Sequence, residues 1–170
     1  TAGDDLSFDV IVVDNASVDG SVEMLKSKYP MVRVLPQSKN IGFGAAQNIG
    51  LGSAEAKYYF ILNPDTFFPL GEEVIKKLFD FMEREKKIGI AGPKILYPDH
   101  SIQYSCYRFP SFWHPFYIRT ALANKKGKKY QRYFSMKDYD HQDVRPVDWL
   151  MGSALFVRGS ALAAAGKFDE

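Results

Sequence analysis

Short apolar runs alternate with polar, turn-forming segments through the first half of the chain. Residues 8–13, 32–35, 58–62 and 88–91 are continuous runs rich in β-branched or aromatic side chains. Such runs are typical of strands that are buried on both faces of a parallel sheet. We predict four strands here, with 8–13 as a central strand and 58–62 as a buried one that ends at Pro64, which has no N–H to donate.

Helical patterns separate these runs. Val22, Leu25 and Tyr29 form one short apolar face, and Pro30 ends that helix. A second stripe, from Val74 to Met82, recurs at helical spacing between charged residues and predicts an amphipathic helix against the sheet. The alternation of strand and helix predicts an α/β fold, with a mostly parallel, Rossmann-like sheet flanked by helices.

The C-terminal half has weaker periodicity, and we expect α+β elaboration of the sheet there. Residues 97–146 show no clear period and are dense in aromatic and basic side chains, notably 107–117 and 125–129. A segment of this length without a period is usually functional or mobile. Regular patterning returns at 147–158, which predicts a strand, a bend and another strand.

Composition limits the class of protein. The 170 residues are 46% hydrophobic, and 22 Lys and Arg nearly balance 20 Asp and Glu, so we expect one globular domain with no nucleic acid partner. A single cysteine, Cys106, cannot form an intramolecular disulfide. No apolar run approaches the length of a membrane span and the opening residues do not form a signal peptide, so we expect a cytoplasmic location.

Two polar loops follow predicted strands. Asp14-Asn15 comes after the first, and Asn63-Pro64-Asp65 comes after the third. Right-handed crossovers would set both loops on one rim, where amide and carboxylate groups suit a nucleotide. One or two carboxylates together with substrate phosphates commonly hold Mg²⁺. The alternatives are that Asn-Pro-Asp-Thr is an ordinary turn and that Asp14 only caps the following helix.

Residues 40–50 are rich in Gly, Ala and Asn. Gln47 stands where a dinucleotide fingerprint requires a third glycine, so the segment does not match that motif. Its small residues predict a tight turn and a helix packed closely against either the sheet or a ligand.

These motifs occur in an order that resembles the family 2 glycosyltransferases, inverting enzymes of the GT-A fold. The resemblance rests on Val-Val-Asp-Asn-Ala-Ser-Val-Asp-Gly-Ser, on the Gly-rich segment, on Asn-Pro-Asp and on the closing Gly-Lys-Phe-Asp-Glu. Gly92–Asp99 and Asp148–Ser153 are similar to the rhamnosyltransferase-like members. The matching motifs cover nearly the whole chain.

The resemblance implies a role for each matching residue. It places Asp14, Asn15, Asp19, Asn40, Asn48, Asn63 and Asp65 at the donor, and Trp149, Gly152, Asp169 and Glu170 on the acceptor side. Asp65 matches the metal-linked carboxylate of the family's Asp-x-Asp motif, so the implied cofactor is Mg²⁺ or Mn²⁺. Asn63 replaces the first acid of that motif and leaves one negative charge fewer.

The implied reaction transfers a sugar, with inversion, from a nucleotide-sugar donor such as dTDP-rhamnose or a UDP-sugar. The acceptor would be a glycan or a lipid-linked glycan of cell-wall or polysaccharide biosynthesis. We expect residues 1–96 to form the nucleotide-sugar half and residues 97–170 the acceptor half of one domain.

The chain departs from the family pattern at both ends. The family's opening nucleotide-binding strand has no counterpart before Thr1, and its catalytic base follows the Phe-Asp-Glu segment, beyond Glu170. We therefore expect a domain truncated at both ends, without its base, inactive alone and prone to self-association through an exposed sheet edge.

Two other functions stay open. One is a non-catalytic module that binds sugar nucleotides. The other is peripheral contact with the inner face of a membrane through the aromatic and basic residues 107–129, whose alternative is a solvated or acceptor-covering loop.

Overall fold

The computed structural model describes residues 6–113, 115 and 125–169. Its strands are β1 (Ile11–Asp14), β2 (Arg33–Pro36), β3 (Tyr58–Leu62), β4 (Ile90–Ala91), β5 (Ile95–Leu96), β6 (Ile102–Gln103), β7 (Cys106–Tyr107), β8 (Trp149–Leu150) and β9 (Ala154–Arg158). Its helices are α1 (Ser21–Lys28), α2 (Phe43–Gly52), α3 (Val74–Arg84), α4 (Lys125–Phe134) and α5 (Gly159–Ala165). The alternation of strands and helices confirms the predicted α/β class.

The chain divides into two compact units. The first contains residues 1–61, 67–91 and 156–170, and the second contains residues 62–66 and 92–155. The C-terminal helix α5 thus belongs with the N-terminal strands and not with the residues that precede it. The single-domain assignment and the division into donor and acceptor halves stay predictions.

In the first unit, β1 and β2 form a parallel pair in which Ile11 lies opposite Arg33 and Asp14 opposite Pro36. Among the described residues β2 is the one strand paired with β1, so the prediction that 8–13 is a central strand is wrong. Phe8 and Val10 precede the strand and are 56% and 41% exposed. Their apolar character predicted a buried strand. The Arg33 N–H does donate to the Val10 carbonyl at 2.9 Å, but both side chains lie at the surface.

A second sheet of the first unit has the order β3-β9-β4, in which β9 and β4 are antiparallel. Pairing within the described part of the chain is therefore mixed. Helix α3 covers this sheet through Leu78 and Met82, which pack with Phe156 in one apolar cluster. The predicted apolar stripe of α3 is confirmed as core.

Arg158 joins the end of α3 to the sheet. Its guanidinium donates to the carbonyl oxygens of Met82 and Ile88, at 2.6 and 3.0 Å, and to the hydroxyl of Tyr58 at 2.7 Å. Carbonyls at a helix C-terminus have no partner within the helix, and a half-buried arginine supplies one.

Helix α2 lies against β1, and two of its glycines stand where it approaches other parts of the chain closely. A Cβ on Gly50 would stand 3.2 Å from Cγ2 of Val13, and one on Gly44 would stand 2.5 Å from the carbonyl oxygen of Asp169. Both glycines are therefore explained by close packing against other parts of the chain.

The second unit contains two antiparallel pairs, β5-β6 and β7-β8. Its apolar cluster is formed by Cys106, Met136 and Tyr139, with Val147 and Leu150 against them. Burial raises the pKa of the Cys106 thiol. The predicted strand, bend and strand at 147–158 are confirmed as β8 and β9. Helix α4 was not predicted. Tyr130, Tyr133 and Phe134 stand at helical spacing, but this short apolar set follows Gly127, a weak helix former, within a segment of irregular pattern.

No helix in the described part of the chain is both long and apolar enough to cross a membrane.

Candidate functional site

The loop after β1 is built around the carboxylate of Asp14. This side chain is 8% exposed, and its Oδ2 accepts a hydrogen bond from the Ser17 N–H at 3.1 Å. Between them Ala16 has a φ of 66°, a left-handed conformation that costs energy for a residue other than glycine. Helix α1 begins only at Ser21, with Gly20 as its N-cap, so Asp14 holds a turn and does not cap the helix.

Asn15 connects this loop to the start of α2. Its Nδ2 donates to Oδ1 of Asn40 at 3.0 Å and to the Gly42 carbonyl at 3.3 Å, while its Oδ1 accepts from the Ile41 N–H at 2.8 Å. Asn40 Oδ1 also accepts from the Gly42 N–H at 2.9 Å. The structure thus brings together two predicted donor residues, Asn15 and Asn40, that lie far apart in the sequence.

A cleft of about 530 Å³ opens beside Asn40. It is lined by Lys39, Asn40, Ile41, Ala45 and Ile49. Apolar side chains with an amide and an ammonium group at one end form a surface that suits a base or ribose next to a phosphate.

Two other predicted donor residues have contacts within the first unit that serve its structure. Oδ1 of Asp19 accepts from the N–H and the hydroxyl of Ser21, at 3.1 and 2.6 Å, and the hydroxyl bond lowers the pKa of Asp19. The Asn48 amide forms two bonds with the backbone of Phe168, at 2.8 and 2.9 Å. This clasp holds the C-terminal segment, including Asp169, against α2.

The Asn63-Pro64-Asp65 segment forms a turn at the end of β3, in the second unit. The Thr66 N–H donates to the Asn63 carbonyl at 3.2 Å, and the Asn63 N–H donates to the Ser153 carbonyl at 3.0 Å. Asp65 is exposed, and no hydrogen bond or ion pair joins its carboxylate to the described residues. The turn therefore presents an uncommitted carboxylate beside the segment that links β8 and β9.

Ser153 was missed by the sequence analysis. Its hydroxyl is buried and has no hydrogen-bond partner among the described residues. Since buried hydroxyls are nearly always bonded, this group next to the Asn63 turn is suited to a ligand or a water. Serine is too common in ordinary turns for the sequence to single it out.

The predicted acceptor-side residues are placed differently from one another. The Trp149 ring stacks on Tyr107 with centroids 4.2 Å apart, and its Nε1 donates to the Arg108 carbonyl at 3.2 Å. Gly152 lies in the turn between β8 and β9. Asp169 lies in the first unit with α2, and Glu170 lies outside the described residues.

Arg108 and Asp138 form an ion pair that no motif indicated. Two guanidinium nitrogens bond the two carboxylate oxygens at 2.8 and 2.7 Å, which lowers the pKa of Asp138 and raises that of Arg108. This pair joins β7 to the chain that follows α4, within the second unit.

The described residues do not form a complete set of protein ligands for a metal ion. No group of three or more His, Cys, Asp or Glu side chains in the described residues is arranged to hold an ion. The exposed Asp65 still fits the mode in which one carboxylate and substrate phosphates share a hard divalent cation.

Comparison with known proteins identifies the family. Residues 2–142 match the family described as Glycosyl transferase family 2. The chain belongs to glycosyl transferase family 2. The resemblance found in the sequence motifs is thereby confirmed.

Curated relatives place this family 2 chain near the rhamnosyltransferases. It is 33% identical over 176 residues to N-acetylglucosaminyl-diphospho-decaprenol L-rhamnosyltransferase from two strains of Mycobacterium tuberculosis. The match covers 95% of this chain and 55% of the relative, so the chain spans about half the length of these relatives. It is of rhamnosyltransferase-like type, as predicted.

A solved structure supports the fold of the family 2 chain. The mannosyltransferase PcManGT from Pyrobaculum calidifontis, solved with GDP-Man and Mn²⁺, matches with a TM-score of 0.55 at 17% identity. The match covers 95% of this chain and 38% of that protein. At this identity the likeness confirms the predicted GT-A fold and nothing further.

Proposed function

We propose that this chain is the sugar-nucleotide-binding part of a glycosyltransferase that transfers a sugar to a lipid-linked glycan acceptor. The observation that carries the proposal is the pairing of Asn15 with Asn40 beside a cleft of about 530 Å³, in a chain of family 2. The similarity to a rhamnosyltransferase whose acceptor is a diphospho-decaprenol supports a deoxysugar nucleotide such as dTDP-rhamnose as donor, with a UDP-sugar as the alternative. Polysaccharide or cell-wall synthesis is the corresponding process.

In this proposal the first unit binds the nucleoside. Asn15 and Asn40 fix the shape of the cleft through their mutual bond, and Asp14 holds the adjoining loop through Ser17. Lys39, at the cleft, supplies a positive charge for the donor phosphates. Because contacts within the protein hold these loops, less ordering is required when a ligand binds in the cleft.

Asp65 would hold Mg²⁺ or Mn²⁺ on the donor diphosphate. A bound divalent cation offsets the negative charge that develops on the leaving nucleoside diphosphate. Asp65 supports this role because its carboxylate has no protein partner among the described residues, and a salt-bridged carboxylate would have to give up that partner. In the second unit, Trp149 stacks on Tyr107, and we propose that its ring contacts a bound sugar.

The test measures nucleotide binding by the full-length protein. A panel of sugar nucleotides is titrated with and without Mg²⁺ or Mn²⁺, against the wild type and Asp65→Asn. We expect one donor to bind in a metal-dependent way and Asp65→Asn to lose most of that dependence while keeping its circular dichroism spectrum. Undiminished metal-dependent affinity in the folded variant would remove Asp65 from the site.

A second candidate concerns peripheral membrane contact. Phe109, Phe112 and Trp113 lie close together in the sequence and are 70%, 84% and 57% exposed. Large apolar side chains exposed together often mark a site of interaction with a protein or a membrane. Aromatic side chains beside basic residues are suited to the interface of a bilayer, and this location agrees with a lipid-linked acceptor. Residues 114 and 116–124 of the predicted stretch lie outside the described residues. Flotation of Phe112→Ser with vesicles, compared with wild type, tests this contact.

A further inference from the structure

A cleft of about 430 Å³ in the second unit is lined by Tyr104, Lys128, Gln131, Arg132 and Lys137. Lys128, Gln131 and Arg132 stand three and four residues apart on α4, so they share one face of that helix. Every polar group that these side chains offer, apart from the Gln131 and Tyr104 oxygens, is a donor. The cleft is therefore built to receive a ligand rich in acceptors.

Besides Lys128 and Arg132, the cleft has a third cation, Lys137, which is positioned by the turn at the end of α4. Met136, which is buried, has a φ of 49°, and the Lys137 N–H returns to donate to the Arg132 carbonyl at 3.0 Å. This six-to-one bond is the Schellman arrangement, which reverses the chain after a helix. Lys137 is thus fixed beside Arg132, with its Nζ 5.2 Å from the centre of the Tyr104 ring.

None of the three cations forms an ion pair with a carboxylate in the part of the chain that the structure describes. Asp138 follows Lys137 directly, but both of its carboxylate oxygens are bonded to Arg108. The nearest acid along the chain is therefore already paired with another cation. Within residues 6–113, 115 and 125–169, three like charges line this cleft and no carboxylate forms an ion pair with them.

Helix stability explains only part of this arrangement. Arg132 lies in the last turn of α4, where the negative end of the helix dipole favours a cation, but Lys128 lies in the first turn, which contains no acidic residue to balance it. Lys128 and Arg132, four residues apart, also repel each other. An anion in the cleft would offset this repulsion.

We propose that this cleft binds the diphosphate group of the lipid-linked acceptor. The inference rests on the proposed function, since it assigns a binding site to the acceptor substrate of the proposed sugar transfer. A diphosphate supplies several acceptor oxygens and multiple negative charge, which three cations and the Tyr104 hydroxyl can match. Arg132 would bond two oxygens with its planar guanidinium, and Lys128 and Lys137 would act as point charges.

Binding is tested on the full-length protein in EDTA, which removes any metal-dependent binding at the donor site. The probes are inorganic pyrophosphate, and phosphatidylcholine vesicles containing either a polyprenyl diphosphate or an equal charge of phosphatidylglycerol. We expect Arg132→Gln and Lys137→Gln each to weaken pyrophosphate and polyprenyl diphosphate binding by about tenfold. Glutamine keeps helix propensity, so α4 should fold in the first variant.

Lys129→Gln is the matched control, because Lys129 carries the same charge on the same helix and does not line the cleft. We expect it to leave pyrophosphate affinity unchanged. If the protein bound only the phosphatidylglycerol vesicles, and Lys129→Gln and Arg132→Gln weakened that binding equally, the cleft would not be a specific site. The result would indicate a general attraction of the basic helix to anionic membranes. Binding of pyrophosphate but not of polyprenyl diphosphate would overturn the acceptor assignment.

Two readouts separate this inference from the proposed function. In transfer assays, Arg132→Gln should raise the KM for the acceptor and leave the KM for the donor unchanged. A wild-type protein that binds polyprenyl diphosphate through this cleft, but binds no sugar nucleotide, would contradict the proposed function and support the cleft. A wild-type protein that binds the sugar nucleotide but neither diphosphate probe would support the proposed function and contradict the assignment of this cleft.

Discussion

Asn15 and Asn40, 25 residues apart in sequence, are joined by a hydrogen bond of 3.0 Å from Nδ2 of the first to Oδ1 of the second. Each amide also bonds the backbone around Gly42, so the pair fixes two loops of the first unit against each other. This contact shapes the candidate nucleotide cleft, because Asn40 lines the cleft.

A double-mutant cycle on Asn15→Ala and Asn40→Ala should give a coupling free energy of unfolding of about 1 kcal/mol, since the bond is partly accessible to solvent. Each single variant should also bind the donor nucleotide more weakly, because the cleft loses its preformed shape. Urea unfolding and nucleotide titration check these effects. Additive losses of stability would show that the two amides act separately.

Asp14→Asn and Asp14→Ala separate charge from turn geometry. Asparagine keeps an oxygen to accept the Ser17 N–H, so Asp14→Asn should cost little stability, whereas alanine loses the bond and should cost about 1 kcal/mol. If the carboxylate contacts the nucleotide, both variants weaken binding even in EDTA. Unchanged affinity in both would leave Asp14 a purely structural role.

Arg158→Ala should lower the free energy of unfolding by about 2–4 kcal/mol, because it leaves the carbonyls of Met82 and Ile88 without their donor. Arg158→Lys should recover only part of this loss, since an ammonium cannot reproduce the planar set of bonds. Arg84→Ala is the control: its bond to Glu85 is exposed, so we expect a change within about 0.5 kcal/mol. Equal effects of Arg158→Ala and Arg84→Ala would contradict the role given to Arg158.

Glu83 should make stability depend on acid pH. Bonds from Lys57, Tyr58 and Lys86 lower the pKa of Glu83 from 4.5 to about 2. A lowered pKa in the folded state stabilises the protein above the unfolded value of 4.5, and this contribution disappears as pH falls towards about 2.

The stability difference between wild type and Glu83→Gln should therefore be larger at about pH 6 than at about pH 2.5 in urea unfolding. Glu23→Gln, which removes an exposed acid that forms no ion pair with the described residues, is the control. A difference for Glu83→Gln that does not change with pH would refute the assignment.

The sequence alone determined the α/β class, the family and the positions of most elements, because local patterns produce them. The apolar stripe from Val74 to Met82 indicates a helix that faces a core. Pro64, which has no N–H to donate, indicates that the strand cannot continue past it, and β3 ends at Leu62. Family motifs likewise act within short segments, so Asp14, Asn15 and Asp65 could be singled out as candidates. Their functional roles stay predictions.

Only the tertiary structure decided which residues are partners. The sequence carries no signal that Asn48 clasps Phe168, or that Arg158 reaches the end of α3, since these contacts depend on how distant segments pack. For the same reason the apolar run at 8–13 could not show that β1 lacks a second neighbouring strand among the described residues. Burial and pairing are properties of the whole fold, and a local pattern expresses only a preference for them.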